Sequence, residues 1–144
     1  MSKQILLVED NPDDELLTLR ALRMHDVQHE VVVVRDGQAA LDWLFGTGPY
    51  AGRDATALPA LILLDLKMPK VDGLEVLRRV RADSRTRRAT VVVFTSSTEE
   101  RDVLQCYDLG ANGYVRKPVN FTEFSASVKG LGSYWLSLNA PPPG

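Results

Sequence analysis

The chain contains the sequence Leu61-Ile62-Leu63-Leu64-Asp65, in which four apolar residues lead directly into a carboxylate. A short apolar run without polar alternation is typical of a strand that is buried on both faces, as in a parallel sheet covered by helices. Similar runs occur at Ile5-Leu6-Leu7-Val8, Val31-Val32-Val33-Val34 and Val91-Val92-Val93-Phe94. The sequence therefore predicts buried parallel strands at these places.

Segments with helical spacing separate the runs. Their apolar residues recur three or four positions apart, for example at Leu74, Leu77 and Val80. We expect a further, shorter strand at residues 113–116 and a last helix over residues 120–138. Because strands and helices alternate, the sequence predicts an α/β fold with a doubly wound, five-stranded parallel sheet in the order 2-1-3-4-5.

The composition fits one globular domain, since the chain has 144 residues, of which 44% are hydrophobic and 25% charged. We expect that domain to cover residues 1–131, with a C-terminal helix extension and proline-rich tail at residues 132–144 and no output domain.

The net charge of −2 gives no strong electrostatic field that would attract nucleic acid. An arginine-rich stretch at residues 78–88 contains Asp83 and no aromatic residue, so we interpret it as solvated surface without direct nucleic-acid binding.

The only cysteine, Cys106, cannot form an internal disulfide bond. No secretion signal opens the chain, and no apolar run approaches the roughly 20 residues that span a bilayer. We therefore expect a cytoplasmic protein that does not enter a membrane.

Three carboxylates follow predicted strands directly. Glu9 and Asp10 come after the first strand and Asp65 after the third, so they should meet at the switch point of the sheet. At roughly 4 Å and an effective dielectric constant near 20, each pair of carboxylates would repel by about 4 kcal/mol. A hard divalent cation would neutralise them, and oxygen ligands without histidine or cysteine favour Mg²⁺.

A hydroxyl and an ammonium group reach the same edge of the sheet, because Thr95 ends the fourth strand and Lys117 follows the fifth. Both groups suit a phosphoryl group, to which a hydroxyl donates and whose charge an ammonium neutralises. This leaves Asp65 free to attack phosphorus. The sequence thus predicts an aspartyl phosphate on Asp65, which water could hydrolyse.

Taken together, the motifs at these strand ends resemble the receiver domain of two-component response regulators over residues 3–131. The motifs are Val8-Glu9-Asp10-Asn11, Leu64-Asp65-Leu66-Lys67-Met68-Pro69 with Asp72-Gly73, Thr95-Ser96, and Gly113-Tyr114-Val115-Arg116-Lys117-Pro118. The resemblance implies the flavodoxin-like receiver fold. It also implies a signalling protein that accepts a phosphoryl group from a sensor histidine kinase and responds by a conformational change. Such a protein assists its own phosphorylation and dephosphorylation and is not an enzyme acting on a separate substrate.

The same resemblance assigns roles to individual residues. Asp65 becomes the phosphoacceptor, and Asp10 and Asp65 become direct Mg²⁺ ligands. Glu9 would bind the ion through water, and the backbone carbonyl of Lys67 would complete the protein's ligands.

In the family, a threonine and a lysine contact the phosphoryl group. These two residues correspond to Thr95 and Lys117 in this chain. The aromatic residue that swings inward on activation corresponds to Tyr114, and the family's usual cis peptide would join Lys117 to Pro118.

A narrower resemblance concerns the long loop before the third strand, the start of the last helix at Asn120-Phe121, and Ser133-Tyr134-Trp135-Leu136. These features are similar to single-domain regulators that serve phytochrome-type histidine kinases. The resemblance implies a bacteriophytochrome as the input kinase. A phosphorelay intermediate or a phosphate sink without its own target remains the alternative.

Other classes of protein fit less well. A haloacid-dehalogenase-like phosphatase needs a second aspartate two positions after the first, where this chain has Lys67. A flavin carrier needs hydroxyls and amides in its first loop, but Asp10-Asn11-Pro12-Asp13-Asp14 is acidic. A pseudo-receiver would be expected to lack one of the acidic or phosphate-contacting residues, and none is missing.

Apolar residues recur along the last predicted helix with 4-3-4-3 spacing, at Phe124, Val128, Leu131, Trp135 and Leu138. We expect the first three to cover the sheet. Tyr134, Trp135, Leu136 and Leu138 lie beyond that cover and predict a homodimer interface. Gly130 and Gly132 weaken the helix, so the tail could instead bend back onto its own domain.

Overall fold

The computed structural model describes residues 4–25 and 28–143. Its sheet consists of parallel strands in the order β2-β1-β3-β4-β5, which confirms the predicted order. The strands are β1 (Gln4–Val8), β2 (Glu30–Val34), β3 (Leu61–Leu64), β4 (Val91–Thr95) and β5 (Gly113–Arg116). In this register Val8 lies beside Leu64, so the residues that follow β1 and β3 emerge at the same level.

Helices connect the strands and cover both faces of the sheet. They are α1 (Pro12–Met24), α2 (Gly37–Phe45), α3 (Gly73–Ala82), α4 (Glu100–Asp108) and α5 (Phe121–Ser133). The residue before α1, α2, α3 and α5 is an asparagine or aspartate whose side chain accepts a hydrogen bond from a backbone N–H of the first turn. This capping fixes where these helices begin.

Two apolar cores lie on opposite faces of the sheet. Along β3, Ile62 and Leu64 face one core, whereas Leu61 and Leu63 face the other. The first core contains residues of α2, α3 and α4, and the second contains Phe124, Val128 and Leu131 of α5, as predicted. A strand buried on both faces has no solvated side that would require polar alternation, which explains its continuous apolar sequence.

The long loop between α2 and β3 contains a short 3₁₀ turn at Gly48–Tyr50 and is held by Arg53. The guanidinium carbon of Arg53 lies 3.5 Å from the centre of the Trp43 ring. One guanidinium nitrogen also donates to the backbone oxygen of Trp43 at 2.9 Å. This loop is therefore fastened to the end of α2 by stacking and hydrogen bonding together.

The C-terminal segment continues α5 with a different helical hydrogen-bond pattern. After Ser133 the chain forms a π-helical turn at Tyr134–Leu138. Trp135 and Leu136 are half-buried against the core beneath α5, whereas Tyr134 and Leu138 are 49% and 76% exposed. The expected interface residues are thus divided between the chain's own core and the surface.

Helix α4 carries Cys106, which is fully buried. Burial raises the pKa of its thiol to about 11.

Across residues 4–25 and 28–143, no helix has the length and apolar character needed to cross a membrane.

Candidate functional site

The three carboxylates predicted to meet do so at the carboxyl edge of the sheet. Oxygen atoms of Glu9, Asp10 and Asp65 all lie within 4.8 Å of one another. The strand register produces this meeting, and the backbone N–H of Asp65 donates to the carbonyl of Val8 at 3.1 Å. Glu9 and Asp65 are buried, whereas Asp10 is exposed.

Lys117 reaches this carboxylate cluster from the end of β5 and contacts two of its three members, Glu9 and Asp65. Its ammonium nitrogen donates to both carboxylate oxygens of Glu9, at 2.7 and 2.8 Å. It also lies 2.9 Å from a carboxylate oxygen of Asp14 and 3.3 Å from one of Asp65. Because the side chain of Lys117 is only 6% exposed, these contacts act in a region with little screening by water.

The pKa values in the cluster reflect burial and excess negative charge. Burial raises the pKa of Glu9 to about 8, although hydrogen bonding to Lys117 opposes the shift. Burial alone would lower the pKa of Lys117, but its contacts with Glu9, Asp65 and Asp14 outweigh that effect and raise it. One ammonium thus faces more carboxylates than it can neutralise.

The donor set fits a hard divalent cation. In the part of the chain that the structure describes, Glu9, Asp10 and Asp65 are the only group of three or more His, Cys, Asp or Glu residues close enough to share an ion. All their donors are carboxylate oxygens, which hard cations such as Mg²⁺ and Mn²⁺ accept. An open cleft of about 410 Å³ leads to the cluster, and Asp10 and Lys67 both line it.

The close approach of α3 to the cluster requires a glycine. A Cβ atom at Gly73 would lie only 2.3 Å from the backbone oxygen of Asp65. The backbone N–H of Gly73 also donates to the carbonyl of Leu66 at 2.8 Å. Helix α3 therefore begins directly against the segment that holds Asp65.

Thr95 and Tyr114 both contact Ser97, which lies in the loop that follows β4. Thr95 is buried, and its hydroxyl oxygen lies 3.5 Å from the backbone nitrogen of Ser97, which donates to it. The hydroxyl of Tyr114 donates to the backbone oxygen of Ser97 at 3.2 Å. Burial raises the pKa of this tyrosine, so its hydroxyl keeps the proton that it donates.

The structure adds one contact to the predicted site and corrects one expectation. Asp14 contacts Lys117 from the first turn of α1. The sequence places that turn beside the end of β1 but does not show which of its side chains faces the cluster. No peptide bond among the described residues is cis, so the expected cis bond between Lys117 and Pro118 is wrong. The trans form is intrinsically favoured before proline by about 0.5–1 kcal/mol.

The four expected interface residues lie away from the carboxylate cluster, at the amino end of the sheet. There the ring of Trp135 approaches Gly113, the first residue of β5, so closely that a Cβ atom at residue 113 would be 3.2 Å from it.

Residues 5–129 match the response regulator receiver domain family, so the chain belongs to that family. Response regulator Rcp1 of Synechocystis is 40% identical over 140 residues, which are 97% of this chain and 93% of Rcp1. The structure of the Mn²⁺-bound form of Rcp1 has a TM-score of 0.89 and 38% identity, and the match covers 97% of this chain and 99% of Rcp1.

Two further solved structures come from phytochrome systems. The phosphorylated cyanobacterial phytochrome response regulator RcpA is 43% identical, with a TM-score of 0.91 and coverage of 99% of this chain and 100% of RcpA. The bacteriophytochrome response regulator RtBRR is 53% identical, with a TM-score of 0.78 and coverage of 100% of this chain and 86% of RtBRR. This chain is therefore a receiver response regulator similar to phytochrome-linked proteins.

We predict that Asp10→Asn weakens binding of Mg²⁺ or Mn²⁺ by roughly tenfold or more, because Asp10 supplies a carboxylate oxygen to the cluster. Asp13→Asn is the matched control: Asp13 is also exposed, and its backbone N–H donates to the cap residue Asn11. Isothermal titration calorimetry measures both affinities. Equal losses in the two variants would contradict the assigned position of the cation.

Proposed function

We propose that this protein accepts a phosphoryl group on Asp65 from a sensor histidine kinase and passes the signal on by a conformational change. The observation that carries the proposal is the ion-pair cluster in which buried Asp65 lies 3.3 Å from Lys117 and beside Glu9 and Asp10. Such a cluster brings together a nucleophile, a cation site and a positive charge for the phosphoryl group.

The transfer is an in-line displacement at phosphorus. A carboxylate oxygen of Asp65 forms a bond to phosphorus while the bond from phosphorus to the donor's histidine nitrogen breaks, and the electron pair leaves with the imidazole. When bound, Mg²⁺ supplies positive charge that neutralises the phosphoryl oxygens. Asp10 and Asp65 would hold it directly, Glu9 through water, and Lys67 through its backbone carbonyl.

Lys117 and Thr95 stabilise the transferred group. Lys117 already contacts the acceptor carboxylate, so its ammonium is in place to neutralise a phosphoryl oxygen there. Thr95 would donate its hydroxyl to another oxygen. Because Ser97 contacts both Thr95 and the Tyr114 hydroxyl, a displacement of this loop reaches Tyr114, which we assign as the switch residue.

The aspartyl phosphate is removed by water. The water oxygen attacks phosphorus, its proton goes to solvent, and the carboxylate of Asp65 is released. Phosphorylation and dephosphorylation both occur on Asp65, a side chain of the protein itself. We therefore assign a phosphoacceptor that assists its own phosphorylation and dephosphorylation.

Exposed apolar side chains lie close in sequence to two residues of the cluster, and we assign them to the docking surface for the phosphodonor. Leu16, two residues after Asp14 on α1, is 51% exposed. Val119 and Phe121, shortly after Lys117, are fully exposed and 44% exposed. A histidine must come within bonding distance of Asp65, and we place the contact of its domain on these apolar side chains. The relatives RcpA and RtBRR support a phytochrome-type kinase as that donor. A phosphorelay intermediate or a phosphate sink would receive its phosphoryl group through the same surface.

We also propose that the protein is a cytoplasmic homodimer that does not bind nucleic acid directly. The exposed side chains of Tyr134 and Leu138 form an apolar surface at the C-terminal turn, and half-buried Trp135 and Leu136 support it from below. A symmetric pair would remove that surface from water. The single thiol of Cys106 suits a reducing compartment.

We expect acetyl phosphate with Mg²⁺ to add one phosphoryl group to the wild type and none to Asp65→Asn, because the amide is a poor nucleophile. Intact-mass spectrometry counts the added groups, and circular dichroism checks the fold. Asp72→Asn is the control, since Asp72 lies on the same cleft and asparagine can also cap α3. Full labelling of Asp65→Asn would exclude Asp65 as the acceptor.

Leu16→Ala should slow phosphotransfer from a cognate kinase by about tenfold, because it removes an apolar contact made in the complex. Labelling by acetyl phosphate should not change, since the small donor needs no such contact. Leu104→Ala is the matched control, a leucine on α4 with 64% exposure. Equal effects of the two variants on kinase transfer would show that the donor does not dock at α1.

Light scattering during size-exclusion chromatography should give the wild type a mass of twice 16.0 kDa at micromolar concentration. The double variant Tyr134→Ser, Leu138→Ser should be monomeric and still folded, because neither side chain is buried in the core. Leu104→Ala should stay dimeric. A monomeric wild type, phosphorylated or not, would contradict the proposed dimer.

A further inference from the structure

Ser97, in the loop between β4 and α4, uses all of its polar groups in hydrogen bonds. Its backbone N–H donates to the Thr95 hydroxyl oxygen, and its backbone oxygen accepts from Tyr114. Its own hydroxyl accepts from the backbone N–H of Glu99 at 3.3 Å and donates to a carboxylate oxygen of Asp102. Since Ser97 is also buried, its position is fixed from several sides.

Asp102 fixes Ser97 from the first turn of α4. The bond joins a hydroxyl to a carboxylate, and hydrogen bonds to ionised groups are the stronger kind. Asp102 is half-buried and lines the same cleft as Asp10 and Lys67. Helix α4 is thereby attached to the loop beside the phosphorylation site.

This attachment bears on Thr95, because Ser97 is the residue that hydrogen-bonds to the Thr95 hydroxyl, at 3.5 Å. Its oxygen receives the N–H of Ser97, so its proton is left for another acceptor. Thr95 is buried at the end of β4, and the chain turns into the loop directly after it. A shift of Ser97 would remove the group that orients the hydroxyl.

We propose that Asp102 is a positioning residue for phosphorylation. By holding Ser97, it directs the Thr95 hydroxyl toward the phosphoryl group on Asp65. Asp102 acts through Ser97 and contacts no reacting atom. The inference rests on the proposed function, because it needs Asp65 as the acceptor.

The first test compares the rates at which acetyl phosphate and Mg²⁺ phosphorylate variants of the full chain. Asp102→Ala and Ser97→Ala should each be slower by about tenfold, and the double variant no slower than either, because both lose the same bond. Asp102→Asn keeps an acceptor oxygen and should lose only about threefold. Glu100→Gln should match the wild type, since it removes a charge from the same first turn but has no contact with Ser97.

The second test repeats the Asp102 substitutions in a Thr95→Ala background. If Asp102 acts on Thr95, the substitutions should no longer change the rate once the hydroxyl is gone. Melting temperatures verify that each variant is folded, and near-isosteric Asp102→Asn supplies the comparison if Asp102→Ala unfolds. An equal slowing with and without the Thr95 hydroxyl would overturn the positioning role.

The outcomes separate this inference from the proposed function. A wild type that is phosphorylated on Asp65 while Asp102→Asn and Asp102→Ala react at the same rate contradicts the role of Asp102 alone. A wild type that gains no phosphoryl group contradicts the function and the inference together.

Discussion

The structure depends on one buried ammonium group that holds carboxylates from different elements together. Lys117 binds Glu9 after β1, Asp65 after β3 and Asp14 on α1. Those acids would repel one another strongly in a region with little water. Their attraction to Lys117 also attaches the end of edge strand β5 to the centre of the sheet. The same ion pairs therefore link elements of the fold and hold Asp65, the proposed acceptor, beside a positive charge.

The sequence predicted the sheet and the carboxylate cluster well because both follow from strand ends. Continuous apolar runs are specific for doubly buried strands, and parallel strands in one sheet present their carboxyl ends at one edge. Glu9, Asp10, Asp65 and Lys117 could thus be brought together without coordinates. Family resemblance then assigned the roles that spacing alone left open.

Other contacts could not be predicted, because they depend on how helices and loops are oriented. Asp14 reaches Lys117 only through the way α1 packs against the sheet, and Asp102 reaches Ser97 only because the loop after β4 folds back onto α4. The sequence likewise does not show how the side chains of the C-terminal turn are oriented. Spacing identified Trp135 as part of an apolar stripe, but only packing against Gly113 shows that its ring faces the chain's own core.

The burial of Cys106 has a consequence for the kinds of signal that the protein can receive. With its pKa raised to about 11 by burial, the thiol stays protonated at neutral pH. Peroxides and disulfides react with thiolates, and they would also need a path into the core. The fold thereby shields its only thiol from oxidants.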